Sequence, residues 1–131
     1  MNSSRKGDES EATVISELMK LGYSVSIPFG DSNRYDLIVD DGETLKKIQV
    51  KTANYKGDKI KFNCYSDVYK NGERETNSYD KTEIDAFVVY CKEIGDCFWV
   101  DVEKAGVASM TIRLKGGQKN SNLKEDFILG P

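Results

Sequence analysis

Apolar positions recur with two different periods along this 131-residue chain, and the switch between them predicts the order of its elements. From about Asp8 to Leu21 the spacing is helical. At steps of about 100° from Glu11, Leu18 falls near −20°, Ile15 near +40°, Val14 near −60° and Met19 near +80°, with Glu9, Thr13, Ser16 and Lys20 opposite. Asp8 or Ser10 is the expected N-cap, and Gly22 the expected C-terminal stop. Met1 to Gly7 reads as a loose polar leader.

Beyond Tyr23 the period shortens to two. Tyr23–Phe29, Tyr35–Asp40, Leu45–Ala53 and Lys59–Tyr65 read as strands, and Asp40-Asp41-Gly42-Glu43 joins the second and third into a hairpin. The polar stretch Tyr65–Tyr79 contains an Asn71-Gly72 turn and is expected to be an inserted loop or hairpin. Ile84–Cys91 and Cys97–Val102 read as buried strands joined at Glu93–Asp96. Val102–Ala108 is predicted to be a short helix, Met110–Leu114 a last strand, the run after Lys115 a loop, and Asp126–Pro131 a small apolar anchor. This order predicts one α/β domain, a sheet with helix cover.

Composition narrows the class. A hydrophobic content of 38% supplies a core without disulfides. The longest apolar runs, Phe87–Cys91 and Phe98–Val100, are of strand length, which predicts a soluble intracellular protein, cytoplasmic or organellar, with no membrane partner. Cys64, Cys91 and Cys97 are odd in number and lack metal-ligand spacing, as expected of reduced thiols rather than bridges or zinc ligands. The chain has no histidine, so imidazole acid-base chemistry and histidine-metal motifs are excluded. The net charge of −3 repels polyanions on average, yet two segments are locally basic. Lys46 to Lys61 holds six lysines against Asp58 alone, and Lys104 to Lys124 holds five basic residues and no acid. Such a segment is as readily a solvated edge as a binding surface.

Four side chains carry the candidate chemistry. Glu11 lies in the middle of the predicted apolar helix face, where a carboxylate is costly to bury unless paired or metal-bound. Gln49 and Lys51, two apart on a strand, point the same way, while Val50 points into the opposite layer. Asp36 opens the preceding strand of the hairpin. Phosphodiester hydrolysis needs a positioned water, neutralisation of growing charge and a stabilised leaving oxygen, for which a divalent metal and a lysine suffice. Asp36 would be the central ligand, joined by the Gln49 side-chain oxygen, the Val50 backbone carbonyl and Glu11, with Lys51 orienting the water. Singly, each has a plainer reading: a first-turn acid, a turn aspartate, a solvated lysine. Jointly, helix angle, strand parity and hairpin connection direct them to one spot.

Three segments, Gly7–Glu11, Pro28–Asp40 and Gln49-Val50-Lys51-Thr52, resemble those of PD-(D/E)XK nucleases, specifically the group I intron-associated homing endonucleases. The resemblance spans roughly residues 7–102 and is most specific from Pro28 to Thr52. It implies a restriction-endonuclease-like core with a mixed central sheet and flanking helices, a single nuclease domain over 1–131, and a C-terminal extension over 103–131. It further implies Mg²⁺-dependent cleavage of double-stranded DNA at a specific site, with Mn²⁺ as a substitute, by homodimers or homotetramers. Glu11, Asp36, Gln49 and Lys51 would be the catalytic set. Two positions depart from the general pattern: Gln49 stands where Glu or Asp is usual, and Tyr35 rather than proline precedes Asp36. Residues 63–80 are expected to form the DNA-recognition hairpin or loop, through Asn63, Tyr65, Ser66, Lys70, Arg74, Asn77 and Ser78. Arg34, Lys115, Lys119 and Lys124 are expected at phosphates. The rival expectations are a Holliday junction resolvase with the same core and a nucleic-acid-binding module that has lost catalysis.

Overall fold

The computed structural model describes residues 3–115 and 122–131. A single long helix, α1 (Ser3–Lys20), precedes ten strands: β1 (Ser24–Ser26), β2 (Leu37–Asp40), β3 (Leu45–Thr52), β4 (Asn54–Lys56), β5 (Lys59–Asn63), β6 (Tyr65–Lys70), β7 (Glu73–Ser78), β8 (Ala86–Cys91), β9 (Asp96–Asp101) and β10 (Ser109–Arg113). Five of them form the central sheet in the order β1-β2-β3-β8-β9. It is mixed, since β3 and β8 run parallel while the other neighbours are antiparallel.

The helix begins about five residues earlier than its apolar period, so Asp8 and Ser10 are interior residues rather than caps. Its end is as expected. Gly22, at φ 93°, lets the Gly22 amide reach the Met19 carbonyl and the Tyr23 amide reach that of Leu18, a Schellman closure. The stripe that packs on the sheet runs through Ser10, Val14 and Leu18, four apart and all buried. Glu11 therefore lies on the margin of that stripe, and Met19, predicted to be apolar-facing, is exposed.

Strand parity divides the interior into two cores. Leu37, Val39, Ile48, Ala86, Val88 and Trp99 turn toward α1. Phe87, Val89, Cys91, Phe98 and Val100 turn away and meet Ile60, Phe62, Met110 and Ile112, which belong to a small antiparallel sheet ordered β10-β5-β4. The mixed sheet with helix cover is as expected, with fewer helices, and one expectation, a short helix over 102–108, is corrected. The second flank is this sheet rather than a helix, and the segment 102–108 forms turns, in which the Lys104 and Ala105 amides donate to the Asp101 carbonyl, the Val102 amide to that of Asp85, and the Ala108 carbonyl accepts the Cys64 amide. Strand β4 lacks the alternation that would mark it, because all three of its residues are exposed. Asp126–Pro131 is anchored as expected, through buried Phe127, whose carbonyl accepts the Trp99 amide.

The stretch Tyr65–Tyr79 is a two-stranded ribbon, β6 and β7, closed at Asn71 (φ 53°) and Gly72 (φ 79°). Two successive positive φ values match a type I′ turn. All of β7 is exposed. All three cysteines are free. No helix among the described residues is long and apolar enough to cross a membrane.

Candidate active site

Strands β2 and β3 stop pairing at Leu37↔Ile48, and the site begins where they part. One residue further on, the Asp36 amide still donates to the Ile48 carbonyl at 2.7 Å. The next rung is made by a side chain: the Val50 amide donates to Asp36 Oδ2 at 2.9 Å. A carboxylate thus stands in for a backbone carbonyl and is fixed at the end of the ladder. Partial burial raises the Asp36 carboxyl above its ordinary range, against the Val50 hydrogen bond and the Lys51 charge, which both pull it down.

Glu11 meets Asp36 at one cleft. Both line a cavity of about 210 Å³ walled by the Ile27–Tyr35 loop. Burial raises the Glu11 carboxyl, and the neighbouring charges of Asp36 and then Asp8 raise it further. The helix is held in register there by a hydroxyl pair, Ser10 Oγ to Thr52 Oγ1 at 2.6 Å. Two site groups adjoin that pair in sequence: Glu11 follows Ser10, and Lys51 precedes Thr52.

Gln49 and Lys51 face away from α1, as parity requires, while Val50 packs toward the helix-side core. All three are half-buried. Lys51 Nζ donates to the Tyr65 carbonyl at 2.7 Å and lies 5.4 Å from the centre of the Tyr79 ring. Burial pulls its ammonium below the ordinary lysine range, while Asp36 opposes that pull. Among the described residues no three His, Cys, Asp or Glu side chains cluster as a metal site. The cavity lining offers the carboxylates of Glu11 and Asp36, and Gln49 lies on the adjacent strand outside that lining. The two carboxyls fit a hard, oxygen-preferring divalent cation, because burial holds both above their normal range, the charge of Asp36 raises Glu11 further, and a positive charge relieves them.

The sequence-predicted DNA contacts separate on the structure. Ser66, Lys70, Arg74, Asn77 and Ser78 stand on the ribbon, with Tyr65 at its root. Asn63 ends β5 and accepts a hydrogen bond from Ser109 Oγ. Lys115 and Lys124 lie beyond the opposite end of the small sheet, four residues of strand from Asn63, about 13 Å. Lys119 lies outside the described residues. Arg34 is engaged internally: Nη1 donates to both Glu83 carboxylate oxygens at 2.9 Å and to the Ser78 carbonyl, and Nη2 to Ser66 Oγ and the Asn77 carbonyl, each at 2.9 Å. Its guanidinium carbon stacks 3.7 Å from the centre of the Tyr79 ring. Sequence reasoning missed Glu83 and Tyr79, whose shared partner Arg34 lies more than forty residues away; an Arg, a Tyr and a Glu without a local pattern gave no signal.

The structure thus places an acid on the helix margin, an acid at a broken ladder and a lysine two residues past an amide on the neighbouring strand. The chain belongs to the PD-(D/E)XK endonuclease family, whose profile matches residues 1–129. Its fold is that of the bacterial homing endonuclease I-Ssp6803I, with a TM-score of 0.81 at 20% sequence identity, covering 97% of this chain and 88% of the other. No curated protein sequence matches the chain.

Proposed function

We propose that this endonuclease hydrolyses phosphodiester bonds of double-stranded DNA at a specific site, with Glu11, Asp36, Gln49 and Lys51 as its catalytic set. The convergence of Glu11 and Asp36 on one cleft beside the strand of Gln49 and Lys51 carries this reading. Asp36, Glu11, the Gln49 side-chain oxygen and the Val50 carbonyl are the groups that would hold Mg²⁺, or Mn²⁺ in its place. Such a cation supplies Lewis-acid polarisation of the phosphoryl group and lowers the pKa of water. Asp36, locked by the Val50 amide, fixes the position of the donors. Lys51 orients the attacking water and offsets charge on the phosphoryl oxygens; its desolvated ammonium acts more strongly than one in bulk water. The fold shared with a homing endonuclease supports a homing role, and the ribbon supplies a shape suited to the major groove. Junction resolution and binding without catalysis are the rival outcomes.

The test is incubation of the purified protein with Mg²⁺ and a pool of random duplexes and four-way junctions, alongside Lys51→Ala and Asp36→Asn, with the cut ends sequenced. Cleavage at one linear motif, lost in both variants while DNA binding persists, is expected. Cutting confined to junctions makes the protein a resolvase, and binding without cutting makes it a non-catalytic module. Undiminished cutting by both variants overturns the catalytic assignment.

A further inference from the structure

Lys51 does not stand alone in its cleft, and what holds it comes from the ribbon. Its ammonium donates to the carbonyl of Tyr65, the first residue of β6. The Tyr79 ring, just past the last residue of β7, lies beside the same ammonium. That ring also carries the Arg34 guanidinium on its face and meets the edge of Phe87 in the core at 5.4 Å. Arg34 in turn grips both ribbon strands at their Ser66↔Asn77 rung, through Ser66 Oγ on β6 and the Asn77 carbonyl on β7, and is fixed to the body by Glu83. Arg34 lies two residues before Asp36. One arginine and one ring therefore join the ribbon's root, the loop entering the acidic cleft and the lysine. The ribbon beyond that root is exposed along β7, so its orientation relative to the body is set where Arg34 and Tyr79 act.

We propose that Arg34 and Tyr79 are positioning residues that link the orientation of the β6–β7 ribbon to the placement of Lys51, so that seating the ribbon on a duplex and readying the lysine are a single event. The inference rests on Lys51 being the lysine of the reaction, as proposed above. A guanidinium fork with two acceptor-bearing strands has no equivalent in lysine, which carries the same charge as a single point. Arg34→Lys therefore preserves charge and breaks the linkage. Tyr79→Phe keeps the ring and its face, whereas Tyr79→Leu keeps bulk and loses both cation contacts.

Two readouts test it. The first is single-turnover cutting, by saturating protein, of the duplex recovered as cleaved by the unaltered protein from the random pool. Tyr79→Leu and Arg34→Lys are expected to cut slower by on the order of a hundredfold, as misplacement of a catalytic group does, while Tyr79→Phe cuts at the normal rate. The second needs no cutting: acylation of Lys51 by a small N-hydroxysuccinimide ester, read by peptide mass spectrometry against exposed Lys56 in the same sample. Tyr79→Leu and Arg34→Lys are expected to raise the Lys51 rate severalfold relative to Lys56, and Tyr79→Phe to leave it unchanged. A merely structural role would lower the melting temperature and leave the reactivity of Lys51 at its normal ratio. That result in folded Tyr79→Leu overturns the linkage. Failure of the unaltered protein to cut any duplex overturns the proposed function instead, and the acylation ratio still decides the linkage.

Discussion

Asp36 and Glu11 are held above their ordinary carboxyl range, by burial first and, for Glu11, then by the charge of Asp36, and this fixes the sign of two predictions. The folded state binds protons more readily at these groups than the unfolded chain does. Their contribution to stability is full below the unfolded values, about pH 4, and is lost as pH rises through the folded values. Asp36→Asn, permanently neutral, should melt higher than the unaltered protein at pH 7, with the gap closing as the pH falls below about 4; thermal melts across that range check it. A gap that widens in acid would contradict the burial argument. The second concerns Gln49. Restoring a carboxylate adds the anionic oxygen that hard cations favour, so Gln49→Glu should show a Mn²⁺-induced rise in melting temperature at a lower concentration than the unaltered protein. Asp36→Asn should show none at either concentration, because binding to the folded state alone is what raises the melting point.

Among the elements, the ribbon makes the sharpest prediction, because alternation sorts its side chains. Tyr65, Asp67 and Tyr69 share a face with Arg74, Thr76 and Ser78; Ser66, Val68 and Lys70 share the other with Glu73, Glu75 and Asn77. The second face leans on the body, since Ser66 bonds Arg34 and Val68 is half-buried. The first is the face expected to enter a groove. Arg74, paired with Asp67 by an exposed contact of 3.1 Å, can exchange that weak partner for a base edge. Arg74→Ala should weaken specific binding by about 1–3 kcal/mol and relax preference at one base pair, whereas Lys70→Ala should leave that preference intact; binding titrations against single-base variants of the cleaved duplex measure both. The ribbon was legible because Asn71-Gly72 is a local turn signal. The helix was legible by its period, although the first turn, Ser3–Gly7, has no apolar residue to mark it. What the sequence did not disclose depends on distant partners: β4 exists because Asn54–Lys56 pairs with Lys59–Lys61, and the region after Asp101 stays in turns. Parity placed Gln49 and Lys51 correctly. The stripe calculation put Glu11 at the centre of its face, whereas buried Ser10, bonded to Thr52, shifts the centre toward Val14 and leaves the carboxylate at the margin, where it reaches the cleft.

Over the whole molecule, one sheet serves two cores and one site. The hairpin strands that carry Asp36 and Lys51 send Leu37 and Ile48 to the helix side, and their parallel neighbour β8 sends Phe87 and Val89 to the other. Among the described residues Glu11 and Asp36 share one cleft, so if both strands of a duplex are cut at once, as proposed, two chains are expected to act together. Sedimentation on the cleaved duplex should therefore give an even number of protomers per DNA; one protomer bound to a duplex cut on both strands would contradict it. The substitution of an amide for a carboxylate at Gln49 has a consequence in time. With two anionic groups and one ammonium, the cleft repels an incoming phosphate less than a three-carboxylate site would, and it retains a cation less firmly. The scissile phosphate would then supply the anionic oxygen that the chain lacks. On the proposed function, the residues that would hold a cation stay short of one anionic oxygen until a duplex is bound, and a molecule diffusing between targets would travel unarmed.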